Sequence, residues 1–242
     1  MNLWPQRWLI LIVINAVYFS VYFHRVSPAV LAPYLMEAFS TTAASLGAMS
    51  SAYFYPYALS QPIVGLLTDR WGARKVVTLS TLIGLAGALF FGLASTLFLA
   101  SMARALIGLG AAGVFVPALK VLLPWFGPRA FAQMNAILLA VGNFGAIVAS
   151  TPFAWLIQEI GWRSSFFLIA GITLILAIFS LTCIQDQPPG FSPQKEEKHK
   201  TRPFPKENAK MTFKTLLIPY FDDPDLLGKW VTGISDTRAP IH

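Results

Sequence analysis

Hydrophobic residues occur along this chain in six long runs, separated by short polar stretches. Each run supplies the roughly 20 apolar residues that a helix needs to cross a hydrocarbon core about 30 Å thick. Unpaired backbone amides are costly in hydrocarbon, so runs of this length must be helical. The pattern predicts six transmembrane helices, over residues 8–36, 43–67, 76–94, 97–126, 130–157 and 164–184.

The composition agrees with this pattern. Hydrophobic residues make up 55% of the chain and charged residues only 12%, against roughly 45–50% and 25% in a soluble domain. We therefore predict an all-α membrane protein whose residues 1–184 form a six-transmembrane-helix bundle. Residues 185–214 are rich in proline and lysine and predict a flexible cytoplasmic linker. Residues 215–242 contain no further apolar run, so we expect a short tail that is truncated or poorly ordered.

Lysine and arginine are concentrated in the connections on one side of the predicted membrane. Arginine is present before the first run, and the connections after the second and fourth runs are basic, as is the stretch after the sixth. Positive loops stay in the cytoplasm, so both termini are predicted to be cytoplasmic, in a cell membrane such as a bacterial inner membrane. This topology explains the net charge of +7 without invoking a nucleic-acid partner.

Small residues recur at intervals of four in two of the predicted helices. Gly84, Ala88 and Gly92 form such a row in the third helix, and Gly145 and Ala149 repeat it in the fifth. Rows of this kind let neighbouring helices approach closely in lipid. A compact bundle is expected.

The turn after the second helix and the turn after the fifth share an order of acidic residue, glycine and arginine. Helices two and five would place these turns on opposite sides of the membrane, as in an inverted repeat of three helices plus three. The paired positions are Asp69 with Glu159, Gly72 with Gly161, and Arg74 with Arg163.

The connection between the second and third helices carries a recognisable motif, GLLTDRWGARK over residues 65–75. We expect Asp69 to accept hydrogen bonds from backbone amides at a helix start, and the arginines to hold the loop in the cytoplasm. The segment resembles the loop signature of the major facilitator superfamily, G-x-x-x-D-R-x-G-x-R-K. The resemblance implies a conformational role for Gly65, Asp69, Arg70, Gly72, Arg74 and Lys75.

Two further segments resemble the same family. Arg104, Gly108 and Gly110 are similar to its fourth-helix pattern, and residues 161–166 are similar to the turn that opens its sixth helix. The resemblance covers about residues 8–184. It implies half of a 12-helix fold and transport by alternating access, with a second six-helix bundle supplied by a missing half or by a homodimer.

The ionisable residues inside the predicted helices are basic. Arg25, Arg104 and Lys120 lie within the six runs, which contain no aspartate or glutamate. At about 1.5 Å per residue, Arg25 is roughly 26 Å from Trp8 and 17 Å from Met36, too deep to reach either surface easily. Buried charges of this kind mark a pathway or a binding site. Because a guanidinium pairs well with carboxylate or phosphate, we predict a small organic anion as substrate.

The residues around Arg25 resemble two branches of the family. Residues 22–25, Tyr-Phe-His-Arg, are similar to the first helix of organophosphate/phosphate exchangers, and residues 116–129 to the fourth helix of anion/cation symporters. The resemblance implies substrate binding by Arg25. Proton-coupled symporters commonly carry aspartate where this chain has His24, and a histidine titrates near neutral pH. A proton or a cation is the expected coupling ion, and Tyr53, Tyr57 and Gln61 are expected to add hydrogen bonds in the cavity.

Several alternatives remain open on the sequence alone. No arrangement of nucleophile and base, paired carboxylates, phosphate loop or metal-ligand cluster indicates an enzyme, a cofactor or a metal site. Sugar or drug-like cargo is compatible with the same family, because a fold does not fix its cargo. A truncated, transport-incompetent remnant of a 12-helix transporter is the other interpretation.

Overall fold

The structure is a computed structural model that describes residues 4–189, and this part of the chain is helical with no strand. The predictions for residues 190–242, which comprise most of the linker and the tail, lie outside the described residues. The helices are α1 Trp4–Phe39, α2 Ala43–Ser51, α3 Phe54–Trp71, α4 Ala73–Leu93, α5 Leu97–Ala112, α6 Phe115–Val148, α7 Thr151–Ile160 and α8 Trp162–Cys183.

Three of the predicted transmembrane helices are single helices in the structure, and three are not. The first, third and sixth correspond to α1, α4 and α8. The second run is divided between α2 and α3, the fourth between α5 and α6, and the fifth between α6 and α7. The prediction of one continuous helix for each of these three runs was wrong.

Proline explains all three breaks. Pro56, Pro117 and Pro152 each stand in the first turn of the helix that follows the break. A proline has no N–H to donate and its ring collides with the carbonyl four residues earlier, so the preceding helix stops there. The sequence contained this signal, although prolines 28 and 33 lie inside α1 without ending it.

Within residues 4–189, four segments are long and apolar enough to cross a membrane: Pro5–Phe39, Ala73–Leu93, Leu97–Val148 and Trp162–Cys183. The third of these has 52 residues and would be about 78 Å long as a straight helix. It turns instead at Gly127, whose φ is 74°. The total of six crossings stays a prediction.

The first helix contributes to both of the larger hydrophobic cores. Its carboxyl-terminal half packs into a core with Phe91, Phe153 and Phe166. Its amino-terminal half packs into a second core that includes Val121 and Leu122 of α6. Large apolar side chains also cover the outside, among them Leu59, Phe98, Trp155 and Ile178. An exterior of this kind is suited to lipid, because in water it would be an aggregation-prone patch.

Charged groups from the segment around α8 hold both ends of α4. Arg163, just after the start of α8, donates from Nη1 to the carbonyls of Gly92 (3.1 Å) and Ala94 (2.7 Å). Asp186, just after the end of α8, accepts from the backbone N–H of Arg74 at 2.7 Å. A cation at the carboxyl end of a helix and an anion at its amino end both favour the helix dipole. We expected Asp69 to accept amides at this helix start, but Asp186 does so.

Replacing Asp186 with alanine is expected to lower the free energy of unfolding by about 1 kcal/mol, the usual cost of losing an N-terminal cap. Asp186→Asn retains an oxygen acceptor and should lose less. The measurement is unfolding in mixed detergent micelles. An alanine variant as stable as the unmodified protein would contradict this role.

The two predicted repeat turns have the same backbone conformation. Gly72, before α4, has φ 86° and ψ 155°, and Gly161, before α8, has φ 80° and ψ 158°. Residues with a side chain rarely adopt such a positive φ. A Cβ at Gly72 would also lie 3.1 Å from Cγ of Asp186. These matched turns agree with the inverted repeat that the sequence indicated.

Close helix contacts involve only part of the predicted rows of small residues. Gly145 lies against the backbone of Phe19, so that a Cβ there would be 3.1 Å from the Phe19 carbonyl carbon. In α4, Gly84 is approached by Gly110, whose Cβ would be 2.8 Å from the Gly84 Cα. A Cβ added at Gly87, which was not in the predicted row, would lie 2.7 Å from the backbone N of Ile107. The rows predicted tight packing but not every contact.

Candidate functional site: a basic groove and a buried basic cluster

Arg25 lies on the exposed side of α1, at one end of a groove. The groove has a volume of about 430 Å³ and is formed by α1, α2 and the first residue of α3. Apart from Arg25 and Ser50 its lining is apolar or glycine, and it extends along α1 as far as Met36. The site therefore combines one cation with a mostly apolar wall.

Aromatic rings position the Arg25 guanidinium. Its Cζ lies 5.8 Å from the centre of the Tyr22 ring and 5.4 Å from that of Phe54. Within residues 4–189 no carboxylate lies within ion-pair distance of Arg25. Contacts with the faces of aromatic rings stabilise a cation but leave its N–H groups available to an anion.

Arg104 occupies a different environment. Its side chain is only 1% exposed. Nη1 donates to the backbone carbonyl of His24 at 2.6 Å, and Cζ lies 4.9 Å from the centre of the Tyr53 ring. Nε and Nη2 have no hydrogen-bond partner among the described residues. Arg104 thus joins α5 to α1 inside the bundle, and the structure does not bring it into the groove with Arg25.

His24 is buried next to Arg25 in sequence but away from it in space. Its side chain is 4% exposed and packs near Phe23 and Phe166, with ring centres 5.9 and 6.2 Å away. It lines a small internal cavity that does not include Arg25. The two adjacent residues therefore face separate spaces.

Lys120 also lies apart from Arg25. Its Nζ forms an ion pair with the carboxylate of Asp69, and the two side chains are 38% and 67% exposed. The sequence placed Lys120 among cations without acidic partners, which was wrong for this residue because Asp69 lies just beyond the end of the second apolar run. The pair links α6 to the loop motif and not to the groove.

The remaining predicted residues are distributed along α3. Tyr57 is half-buried and stacks on Tyr53, with ring centres 5.9 Å apart and planes 14° apart. Gln61 is also half-buried, one turn further on. Neither residue lines the groove that contains Arg25. Their role as cavity hydrogen-bond donors stays a prediction.

The loop motif is largely exposed. Arg70, Arg74 and Lys75 have exposed side chains. At Gly65 an added Cβ would meet no atom of the described chain within 4 Å. No neighbour within the described bundle packs closely against this glycine.

Sequence reasoning missed two residues that shape the site, Phe54 and Asp186, and gave Tyr53 a different role, that of adding hydrogen bonds in the cavity. The guanidinium of Arg25 lies over the Phe54 ring and that of Arg104 over the Tyr53 ring. Two consecutive aromatic residues at the start of α3 thus each contact one arginine. Asp186, which accepts a hydrogen bond from the backbone N–H of Arg74 at the start of α4, follows the last apolar run. The signal for the aromatic pair was its position beside Pro56, where the second run breaks.

In the portion of the chain that the structure describes, no group of three or more histidine, cysteine, aspartate or glutamate residues is close enough to hold an ion. A guanidinium such as that of Arg25 has the planar paired donors that suit a carboxylate or phosphate.

Comparison with known proteins identifies the family. The family model described as Major Facilitator Superfamily matches residues 11–234. The chain belongs to the Major Facilitator Superfamily. This confirms the family that the loop motif predicted, and with it the all-α membrane fold of a multi-pass protein.

The similar proteins are transporters, and none is described as an enzyme. The chain is 28% identical over 184 residues to a probable sulfoacetate transporter of Cupriavidus necator, covering 75% of this chain and 42% of that protein. It is 31% identical over 173 residues to an uncharacterized transporter of Bacillus subtilis, covering 72% of this chain and 40% of that protein. The chain therefore spans about two fifths of the length of these relatives.

The fold has a solved counterpart. A bacterial homologue of the human lysosomal transporter Spinster, crystallised inward-facing and unoccupied, superimposes with a TM-score of 0.68. The match covers 81% of this chain and 47% of that chain, at 22% identity. At this level of identity the likeness shows the fold of one half of such a transporter and not its cargo.

Proposed function

We propose that this chain forms one half of a secondary transporter for a small organic anion, working by alternating access in a bacterial inner membrane. One observation carries the proposal: an accessible guanidinium at Arg25, supported by aromatic rings and without a carboxylate partner in the described chain, stands at the end of a groove. A cation in this position attracts a carboxylate, sulfonate or phosphate.

The names of relatives support the same class of cargo. Besides the probable sulfoacetate transporter, they include a hexuronate transporter of Bacillus subtilis at 25% identity and a probable galactarate/D-glucarate transporter of the same organism at 24% identity. All three names denote organic anions. We propose the same class of cargo, organic anions, for this chain, without choosing a particular compound.

The groove favours a compact anion over a polyhydroxylated one. Among the residues that line it, a single one carries a hydroxyl, Ser50. A sugar acid would leave most of its hydroxyl groups without partners on this wall, and each unpaired polar group in a dry site costs about 1–3 kcal/mol. Short carboxylates and sulfonates fit this wall better.

A second six-helix bundle completes the proposed transporter. In this family architecture two bundles rock about a site near the membrane midplane. The open surface at Gly65 supports a contact with a partner bundle at the loop motif. The partner is a carboxyl-terminal half or a second copy of this chain.

The proposal is tested by anion binding and uptake in membrane vesicles that contain the protein. We expect a labelled short-chain carboxylate or sulfonate to bind, to be displaced by sulfoacetate, and to be displaced less by glucarate. A neutral sugar serves as the matched control and should not compete. Displacement by the neutral sugar as strong as that by sulfoacetate would overturn the anion assignment. Cross-linking in the same vesicles distinguishes a homodimer from a heterologous partner.

A further inference from the structure

A second space lies inside the bundle, separate from the groove. It is a cavity of about 30 Å³ between α1, α4, α5 and α8. Its polar lining consists of His24 and four hydroxyl-bearing residues, Ser20, Ser80, Thr81 and Thr173. Polar side chains from three helices thus converge on one small volume in an otherwise apolar core.

The imidazole of His24 has no hydrogen-bond partner in the described chain. Its Nδ1 and Nε2 are both buried and unpaired within residues 4–189, while its backbone carbonyl is bound by Arg104. Leaving a buried polar group unsatisfied costs about 1–3 kcal/mol. A neutral imidazole has one hydrogen-bond donor and one acceptor. Its burial beside a cavity indicates a ligand that can both accept and donate hydrogen bonds.

The threonines restrict what that ligand can be. Thr81 and Thr173 donate their hydroxyl hydrogens to the carbonyls of Val77 (2.7 Å) and Ile169 (2.8 Å) in their own helices. Their oxygens therefore present lone pairs to the cavity and accept hydrogen bonds. An anion would find few donors here, because both threonines already donate their hydroxyl hydrogens to their own helices. A cation would face the buried guanidinium of Arg104 nearby, with no carboxylate in the lining.

Water meets each of these conditions. A buried water molecule is neutral, makes about three hydrogen bonds and needs roughly 10–15 Å³ of cavity volume, so this cavity has room for about two. We propose that the cavity is a hydration site, in which ordered water bridges the His24 imidazole to the hydroxyl oxygens of Thr81 and Thr173. The inference does not rest on the proposed cargo.

Radiolytic footprinting in heavy-oxygen water tests this site on the full chain in nanodiscs. Radiolysis converts bound water to hydroxyl radicals, which label the side chains that they touch. We expect His24 to be labelled above Phe91, an equally buried ring that is 0% exposed and belongs to the dry aromatic core. His24 labelling no higher than that of Phe91 would overturn the proposal.

A double variant adds the matched comparison. Thr81→Val together with Thr173→Val removes both acceptors while preserving side-chain volume, and should abolish the excess labelling of His24. Thr182→Val is the control, because Thr182 bonds to its own helix in the same way, to the Ile178 carbonyl at 2.9 Å, but on the exposed side of α8. Equal His24 labelling in the double variant and in this control would also overturn the proposal.

Discussion

Replacing Arg25 with alanine is expected to lower the affinity for the anionic cargo about 100-fold, corresponding to about 3 kcal/mol for a lost charge-assisted interaction. The guanidinium is accessible in the groove and lacks a carboxylate partner in the described chain, so its N–H groups remain available to the cargo. The measurement is binding and uptake of a labelled organic anion in vesicles.

Two controls separate binding from folding in this experiment. Arg25→Lys keeps the charge but loses the planar paired donors, so its affinity should be intermediate. The free energy of unfolding of Arg25→Ala should change little, because the side chain is exposed and contacts only the ring faces of Tyr22 and Phe54. An alanine variant that binds and transports the anion normally would refute the role of Arg25.

Introducing a methyl group at Gly108 is expected to destabilise the bundle by roughly 1–3 kcal/mol, the usual cost of overpacking. A Cβ there would lie 2.8 Å from the carbonyl carbon of Tyr53 and 3.0 Å from its Cα. Backbone atoms cannot rotate away as a side chain can, so α5 and the start of α3 would have to separate. Because the Tyr53 ring lies beneath Arg104, the same displacement would loosen the contact of Arg104 with this ring and its hydrogen bond to the His24 carbonyl.

Gly171→Ala is the matched control for Gly108→Ala. Gly171 lies in α8, and a Cβ there would meet no atom within 4 Å. Alanine is the better helix former by about 1 kcal/mol, so this variant should be as stable as the unmodified protein or slightly more stable. Unfolding in mixed detergent micelles measures both. Equal stability of the two alanine variants would show that the contact at Gly108 is not tight.

The apolar runs predicted where helices lie. Whether a run forms one unbroken helix depends on its prolines, which the hydrophobic pattern does not take into account. All six apolar runs are helical in the structure, apart from the short breaks within three of them. The pattern failed at the three breaks before Pro56, Pro117 and Pro152, because hydropathy measures burial in lipid and carries no information on backbone hydrogen bonding. The prolines inside α1 show why a proline alone does not decide a break.

The basic residues inside the apolar runs were also readable from the sequence, but the direction of each side chain was not. Arg25 and Arg104 both stood in apolar runs, and one proved to face a groove and the other the bundle interior. Lys120 found an acidic partner 51 positions away in sequence. Such pairings depend on how helices are rotated against one another, which no local window of sequence records.

The sequence by itself determined the membrane class, the family and the positions of the basic residues, because hydrophobic length and the loop motif are local properties of the chain. Only the tertiary structure decided that consecutive residues His24 and Arg25 serve separate spaces, and that Asp186 rather than Asp69 holds the start of α4. The physical reason is that side-chain surroundings are set by packing between helices distant in sequence, where a rotation of about 100° per residue turns neighbours to different faces.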